Sequence, residues 1–86
     1  IVKSDEEIYI NNTGNSGMAT AGSGDCLTGI ILSLLGQGLS AFNSAKLGVF
    51  IHGLAGDFAK EELGEDSLVA SDIIKFLPKA IKYIRE

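Results

Sequence analysis

The stretch that decides the fold is Asn11 to Thr28, which reads Asn-Asn-Thr-Gly-Asn-Ser-Gly-Met-Ala-Thr-Ala-Gly-Ser-Gly-Asp-Cys-Leu-Thr. It is a loop of small residues that leads directly into an apolar helical segment, with a single acid, Asp25, at the junction. Glycines allow close backbone approach, and the start of a helix presents unpaired N–H groups and a partial positive charge. Together these features predict an anion site, most often for a phosphate. A carboxylate at that place would repel a phosphate, which favours a chemical role for Asp25.

The glycine loop, Asn11 to Gly24, matches neither of the two common phosphate-binding motifs. No Gly-Lys-Ser/Thr follows it, and Leu27 stands where the dinucleotide fingerprint needs its third glycine. We expect the backbone N–H groups of Ala21 to Asp25 to converge on an anion and to stabilise charge on a transferred phosphoryl group. Asp25 would then accept a proton from an attacking hydroxyl as a general base. From this local pattern alone, Asp25 could equally be an N-cap acid that only stabilises the helix.

The elements around the loop follow from residue spacing. Ile1 to Lys3 and Ile8 to Ile10 are short strand-like runs separated by turn-like residues, which predicts a β-hairpin. After the loop, apolar residues at helical spacing predict a helix that starts near Ser23 to Asp25 and ends around Gly36 to Gly38. The chain after the hairpin and the loop therefore consists of helices, three to four in number.

A second helix is predicted from about Ser40, a suitable N-cap, to Leu63. Glycine in a helix interior costs ~1 kcal/mol relative to alanine, so glycines inside this helix predict close packing against another backbone. These are Gly48, Gly53 and Gly56. Further on, Ser71 is predicted to cap the last helical segment. Pro78 is predicted to open a second piece of that segment after a break near Leu77.

Composition limits the class of protein. The chain has 86 residues, a net charge of −4 and 45% hydrophobic residues, which excludes a disordered tail and offers no basic stripe for nucleic acid. So high an apolar content in so short a chain predicts a fragment that packs against the rest of its domain, or a homo-oligomer. A lone cysteine, Cys26, predicts a reducing, cytoplasmic setting. The longest apolar run, Cys26 to Leu35, is too short for a membrane span.

The residues from Asn12 to Ile30 resemble the signature of the ATP- or ADP-dependent NAD(P)H-hydrate dehydratases, which belong to the ribokinase-like superfamily. His52 to Asp57, and Ala70 to Ile74 with Leu77-Pro78, resemble later helices of that family. The resemblance implies an α/β fold. Residues 1–86 would form the C-terminal fragment of one ribokinase-like nucleotide-binding domain: a β-hairpin, the glycine-rich loop and then helices.

The same resemblance implies a repair reaction on hydrated NADH or NADPH. ADP or ATP first phosphorylates the hydroxyl of the hydrate, and phosphate is then eliminated. Asp25 would contact the hydrated nicotinamide and accept the hydroxyl proton. The implied nucleotide-binding and anion-hole residues are Asn15, Ser16, Gly17, Met18, Ala19, Thr20, Ala21, Gly22, Ser23 and Gly24. Mg²⁺ is implied with ligands outside this chain. The implied partners are the nucleotide, the hydrate and the remainder of the chain's own domain, so this piece alone is expected to be inactive.

Two other functions fit parts of the sequence. A ribokinase-like kinase of a sugar or vitamin precursor would share the anion hole and the acid. A helical assembly module without catalysis would use the glycine loop only to turn the chain. The run from Thr13 to Met18, Thr-Gly-Asn-Ser-Gly-Met, favours the dehydratase.

Four single residues have alternative interpretations. For Cys26, an inert buried thiol is favoured over a reactive thiol at a helix start. For His52, a packed and hydrogen-bonded side chain is favoured over a base. Asp57 could cap or line a site, but an exposed pair with Lys60 is the default. Met18 could rest against an adenine or fill a gap in the core.

Overall fold

A computed structural model describes residues 2–3, 7–18, 22–64 and 68–85. Its strands are β1 (Val2–Lys3) and β2 (Ile8–Tyr9), which pair antiparallel with Val2 opposite Tyr9. A 3₁₀ turn (Ser16–Met18) and four helices follow in the described ranges: α1 (Ser23–Gly36), α2 (Ala41–Leu63), α3 (Ala70–Lys75) and α4 (Leu77–Arg85). The described chain is therefore mostly helical, as the sequence predicts, and the turn between the two strands lies outside the described residues.

Helix α2 is the element on which the others assemble, because α1, α3, α4, β1 and the 3₁₀ turn all pack against it. Ser40 is its N-cap, as predicted, and the Ser40 side chain accepts a hydrogen bond from the Asn43 N–H at 3.2 Å. The residues that α2 buries are mostly small, and Ala55 and Ala59 are completely covered. Neither α2 nor any other helix in the described ranges is long and apolar enough to cross a membrane.

The two C-terminal helices correct one prediction and confirm another. Helix α3 begins at Ala70 with Val69 in the N-cap position, so the prediction of Ser71 as the cap is wrong. The Asp72 carboxylate accepts a hydrogen bond from the Val69 N–H at 3.0 Å, and this bond stabilises the earlier start. The break before Pro78 is confirmed, because Pro78 lies in the first turn of α4, where a backbone N–H is not needed.

The core contains few large side chains and leaves much apolar surface uncovered. Its buried members are Met18, Ile51, Ala55, Ala59, Leu68, Ile73 and Ala80. Large apolar side chains are exposed in β2, just after it, and on α1 and α4, namely Ile8, Ile10, Leu32, Leu35, Ile81, Tyr83 and Ile84. Apolar surface of this extent is typical of a face that packs against another part of a protein or another subunit.

Candidate functional site

The start of α1 has the construction of an anion-binding helix terminus. Gly22 occupies the N-cap with a φ of 86°, a left-handed conformation that residues other than glycine rarely adopt. Ser23, Gly24 and Asp25 form the first turn of the helix. Apart from the helix itself, no described atom lies within 4 Å of the place where a Cβ of Gly24 would be. Within the described residues, the Cβ side of Gly24 is therefore uncovered, and the first N–H groups of the helix have no partner inside it.

Asp25 is not a capping residue, although it lies in this first turn. It holds the third position of α1, as Asp72 does in α3. The Asp72 carboxylate accepts a hydrogen bond from its N-cap residue, Val69. In contrast, Asp25 is exposed, and within the described residues its carboxylate accepts no hydrogen bond. The interpretation of Asp25 as the N-cap is therefore wrong, and its carboxylate is available to a ligand.

A cavity of about 390 Å³, the loop cavity, lies between the glycine loop and α2. Its size is that of a small-molecule site. Among its walls are three of the predicted nucleotide-site residues and three residues of α2: Asn15, Met18, Ser23, Val49, His52 and Gly53.

A second cavity of about 440 Å³, the α1 cavity, lies between α1 and the helices α2, α3 and α4. Its walls are mostly apolar, with Ile30, Ile74 and Ile81 among them, and Asp25 is the only charged side chain described there. Asp25 therefore opens onto a different cavity from Ser23, which precedes it by two residues.

The glycine loop lies along one face of α2. The Thr13 hydroxyl lies 3.2 Å from the carbonyl oxygen of Phe50, and Asn11 Nδ2 donates to the carbonyl oxygen of Val49 at 3.4 Å. A Cβ added at Gly53 would overlap both the side chain and the backbone of Thr13. The loop can therefore approach α2 this closely only because residue 53 has no side chain.

The other two glycines of α2 also mark close contacts, but with side chains. A Cβ at Gly56 would overlap the Met18 side chain, and one at Gly48 would lie 2.6 Å from Cγ1 of Ile31. The predicted close packing is confirmed at all three glycines. The predicted partner, another backbone, is confirmed at Gly53 and, at the longer distance of 3.7 Å to the Cα of Ile31, at Gly48, but not at Gly56.

Asp57 attaches the first part of the glycine loop to α2. Its Oδ2 accepts a hydrogen bond from the Gly14 N–H at 3.0 Å, and its Oδ1 accepts one from Asn15 Nδ2 at 2.9 Å. Asn15 Oδ1 in turn accepts a hydrogen bond from the Gly17 N–H at 3.0 Å. The default interpretation of Asp57 as an exposed side chain is wrong, because Asp57 is half-buried and both of its oxygens bind the loop.

His52 lies beneath the start of α1. Its Nε2 is 3.3 Å from the Ser23 hydroxyl, and both side chains are buried. Burial lowers the pKa of His52, and a hydrogen bond with the Ser23 backbone acts more weakly in the opposite direction. The interpretation of His52 as a packed, hydrogen-bonded side chain is confirmed, and its partner is one of the predicted anion-hole residues.

Comparison with known proteins identifies the family. The family model described as NAD(P)H-hydrate dehydratase matches residues 1–79. The chain belongs to the NAD(P)H-hydrate dehydratase family. Membership of this family confirms the ribokinase-like fold that the resemblance implies.

Members of the family match this chain at high identity. The bifunctional NAD(P)H-hydrate repair enzyme Nnr of Thermofilum pendens is 51% identical over 86 residues, which is 100% of this chain and 16% of that protein. The protein of the same name from Moorella thermoacetica is 51% identical over 82 residues, 95% of this chain and 16% of its own length. The ADP-dependent (S)-NAD(P)H-hydrate dehydratase of Neisseria meningitidis is 53% identical over 64 residues, 74% of this chain and 22% of its own length. The chain thus spans 16% to 22% of the length of these relatives.

The predicted nucleotide-site residues fall into two described groups. Ala19, Thr20 and Ala21 lie outside the described residues, and only the backbone of Ser16 is described. The first group forms the 3₁₀ turn and the residue before it, Asn15, whose side chain is bound by Asp57: Asn15, Ser16, Gly17 and Met18. The second group forms the start of α1: Gly22, Ser23 and Gly24. Asn15 and Met18 from the first group and Ser23 from the second meet at the loop cavity.

The structure around Cys26 and Met18 bears on the alternative interpretations of these two residues. Burial raises the pKa of the Cys26 thiol, which favours the inert thiol over a reactive thiolate. Met18 is buried in the core against Gly56, as a gap-filling residue would be, and it also borders the loop cavity.

Sequence reasoning missed the contacts of Asp57 and His52 with the loop. A signal for Asp57 was present in the sequence. Gly56 and Asp57 follow Gly53 by three and four residues, so both lie on the same helix face as Gly53. A face with two glycines and one acid can accept a loop closely and then bind its N–H groups. No comparable signal linked His52 to Ser23.

One prediction concerns the pH dependence of stability. His52 is the only histidine of the chain, and its pKa in the folded state lies below the ordinary value of 6.5. As pH falls through 6.5, the unfolded state gains a proton before the folded state does, so stability decreases until the folded-state pKa is passed. We expect the melting temperature of the wild-type protein to fall from pH 7.5 to 5.5 more steeply than that of His52→Gln, measured by calorimetry at each pH. Parallel curves for the two proteins would contradict the burial of a neutral His52.

Proposed function

We propose that the protein containing this chain removes water from hydrated NADH or NADPH in a nucleotide-dependent reaction. The observation that carries the proposal is the start of α1, where the N–H groups of the first turn lie beside an exposed carboxylate, Asp25, that accepts no hydrogen bond within the described residues. Membership of the family and the names of its relatives support the substrate class. The relative from Neisseria meningitidis is named as ADP-dependent, which supports ADP as the nucleotide, with ATP as the alternative.

In the proposed reaction, Asp25 accepts the proton of the hydrate's hydroxyl as that oxygen attacks the terminal phosphorus of the nucleotide. The bond from this phosphorus to the bridging oxygen breaks, and the nucleotide leaves with one phosphate fewer. The N–H groups at the start of α1 stabilise the charge on the transferred group. Phosphate then leaves the ring with the electrons of the C–O bond, a proton is lost from the adjacent carbon, and the double bond of NADH or NADPH is restored.

The two cavities support separate binding regions for the nucleotide and for the hydrate. Asn15, Met18 and Ser23 border the loop cavity, which we assign to the nucleotide. Asp25 borders the α1 cavity, which we assign to the side of the hydrate. With this assignment the carboxylate faces the hydroxyl that it deprotonates and not the phosphates, which removes the repulsion expected from the sequence.

The remaining parts of the machinery are proposed to lie elsewhere. Residues 1–86 would be the C-terminal fragment of one domain, and the exposed apolar side chains Leu32 and Leu35 of α1 and Ile8 and Ile10 of the β2 region support packing against its remainder. In the described ranges no three His, Cys, Asp or Glu side chains come together as around a metal. Mg²⁺ bound outside this chain, a cytoplasmic location and a homo-oligomer stay predictions from the sequence.

The proposal predicts the outcome of one assay on the full-length protein. Hydrated NADH is incubated with ADP, with ATP or without nucleotide, and the recovery of NADH absorbance and the release of orthophosphate are followed. We expect recovery only with a nucleotide, together with orthophosphate and no stable phosphorylated product. A small-molecule kinase would instead accumulate a phosphorylated sugar or vitamin precursor, and an assembly module would turn over neither substrate. Either result would contradict the proposal.

A further inference from the structure

Asp57 connects α2 to the glycine loop at two points, the Gly14 N–H and the side-chain amide of Asn15. We propose that Asp57 is a positioning residue for nucleotide binding, which acts through Asn15 on the turn Ser16–Met18. The inference rests on the proposed function, because this part of the loop is assigned there to the nucleotide.

The charge of Asp57 determines which way the Asn15 amide points. Asn15 Nδ2 donates to Asp57 at 2.9 Å, and Asn15 Oδ1 accepts from the Gly17 N–H at 3.0 Å. A carboxylate can only accept hydrogen bonds, so it binds the nitrogen end of the amide. If the amide were reversed, its oxygen would face a carboxylate and its nitrogen would face an N–H group. Asp57 therefore fixes the conformation in which Asn15 holds Gly17.

The surrounding contacts connect the position of Asn15 to the walls of the loop cavity. Gly53 and Gly56 lie on the same face of α2 as Asp57 and admit Thr13 and Met18. The Met18 N–H donates to the Asn15 carbonyl oxygen at 3.1 Å, which closes the 3₁₀ turn. Asn15 and Met18 both border the loop cavity. Displacement of Asn15 would consequently move two walls of that cavity at once.

An exchange of the two side chains tests the inference in the full-length protein. Asp57→Asn removes a charged acceptor, and we expect the dissociation constant for ADP to rise about tenfold. Asn15→Asp places two carboxylates face to face and should weaken binding at least as much. In the double variant, the amide introduced at position 57 can donate to the carboxylate at position 15 and accept from the Gly14 N–H. The new carboxylate can still accept from the Gly17 N–H, so affinity should return towards the wild-type value.

Calorimetry of ADP binding gives the dissociation constants, and steady-state rates give KM for the nucleotide and kcat. A positioning role predicts that KM rises in Asp57→Asn while kcat at saturating nucleotide changes much less. Asp72→Asn is the matched control, since it removes a carboxylate that binds one backbone N–H outside the glycine loop. It should leave ADP affinity unchanged.

An ADP affinity of Asp57→Asn within about twofold of wild type would overturn the inference, as would a double variant that binds no better than the single variants. If Asp57→Asn alone does not fold, the double variant decides, because recovery of both folding and affinity requires the paired contact. The binding measurement needs no hydrate. Failure of the wild-type protein to restore NADH would therefore contradict the proposed function and not the role of Asp57.

Discussion

Replacement of Asp25 by asparagine should lower the rate of nucleotide-dependent dehydration about 10²-fold or more in the full-length protein, the usual scale for the loss of a general base. An amide of nearly the same size cannot accept the hydroxyl proton. The fold should be retained, because the Asp25 carboxylate is exposed and accepts no hydrogen bond within the described residues. The measurement is the initial rate of NADH recovery at saturating nucleotide and hydrate.

Asp72→Asn is the matched control for this variant, since both acids hold the third position of a helix. The amide of asparagine can still accept from the Val69 N–H but without the negative charge, so stability should fall by less than about 1 kcal/mol and the rate should be unchanged. If the two variants lost the same small fraction of the rate, Asp25 would be a helix-terminus residue. An unchanged rate in Asp25→Asn would favour the assembly module.

Replacement of Gly53 by alanine should destabilise the protein by about 1–3 kcal/mol, the usual cost of inserting a group into a closely packed site. The added methyl group would overlap Thr13, both at its side chain and at its backbone. The loop must then move away from α2, so ADP affinity should fall as well. Urea denaturation measures the first effect, and calorimetry of ADP binding measures the second.

Gly36→Ala is the control for this substitution. Gly36 is the last residue of α1, and no described atom outside its own helix lies within 4 Å of a Cβ at that position. Alanine should be tolerated there, with a stability gain of up to about 1 kcal/mol. A Gly53→Ala protein as stable as wild type would show that the glycine loop does not lie on α2 as described.

The helices were predictable because their signals are local. The apolar spacing of α1, the Ser40 cap of α2 and the break before Pro78 all depend on residues within a few positions of one another. The start of α3 was misplaced because two local signals compete there. Ser71 is a good cap by residue type, but the Asp72 carboxylate reaches back to Val69 and so favours an earlier start.

The site was predictable from the sequence only where its residues are close together along the chain. Asp25 at the end of a glycine-rich loop is visible in the sequence, whereas the contacts that hold the loop are not. Asp57 binds the loop across separations of 42 and 43 residues, and His52 meets Ser23 across 29. Such contacts depend on how α2 is placed against the loop and α1. The glycines of α2 indicate that another element packs closely on this helix, but they do not identify which segment does.

The central claim is that the loop cavity holds the nucleotide and that Asp25 acts on the other substrate, the hydrate. The affinity of the Asp25→Asn protein for ADP tests this claim most directly. Because the residues that border the loop cavity are untouched, we expect a dissociation constant within about twofold of wild type, although turnover falls about 10²-fold. Equal losses of nucleotide binding and turnover would contradict this division of the site.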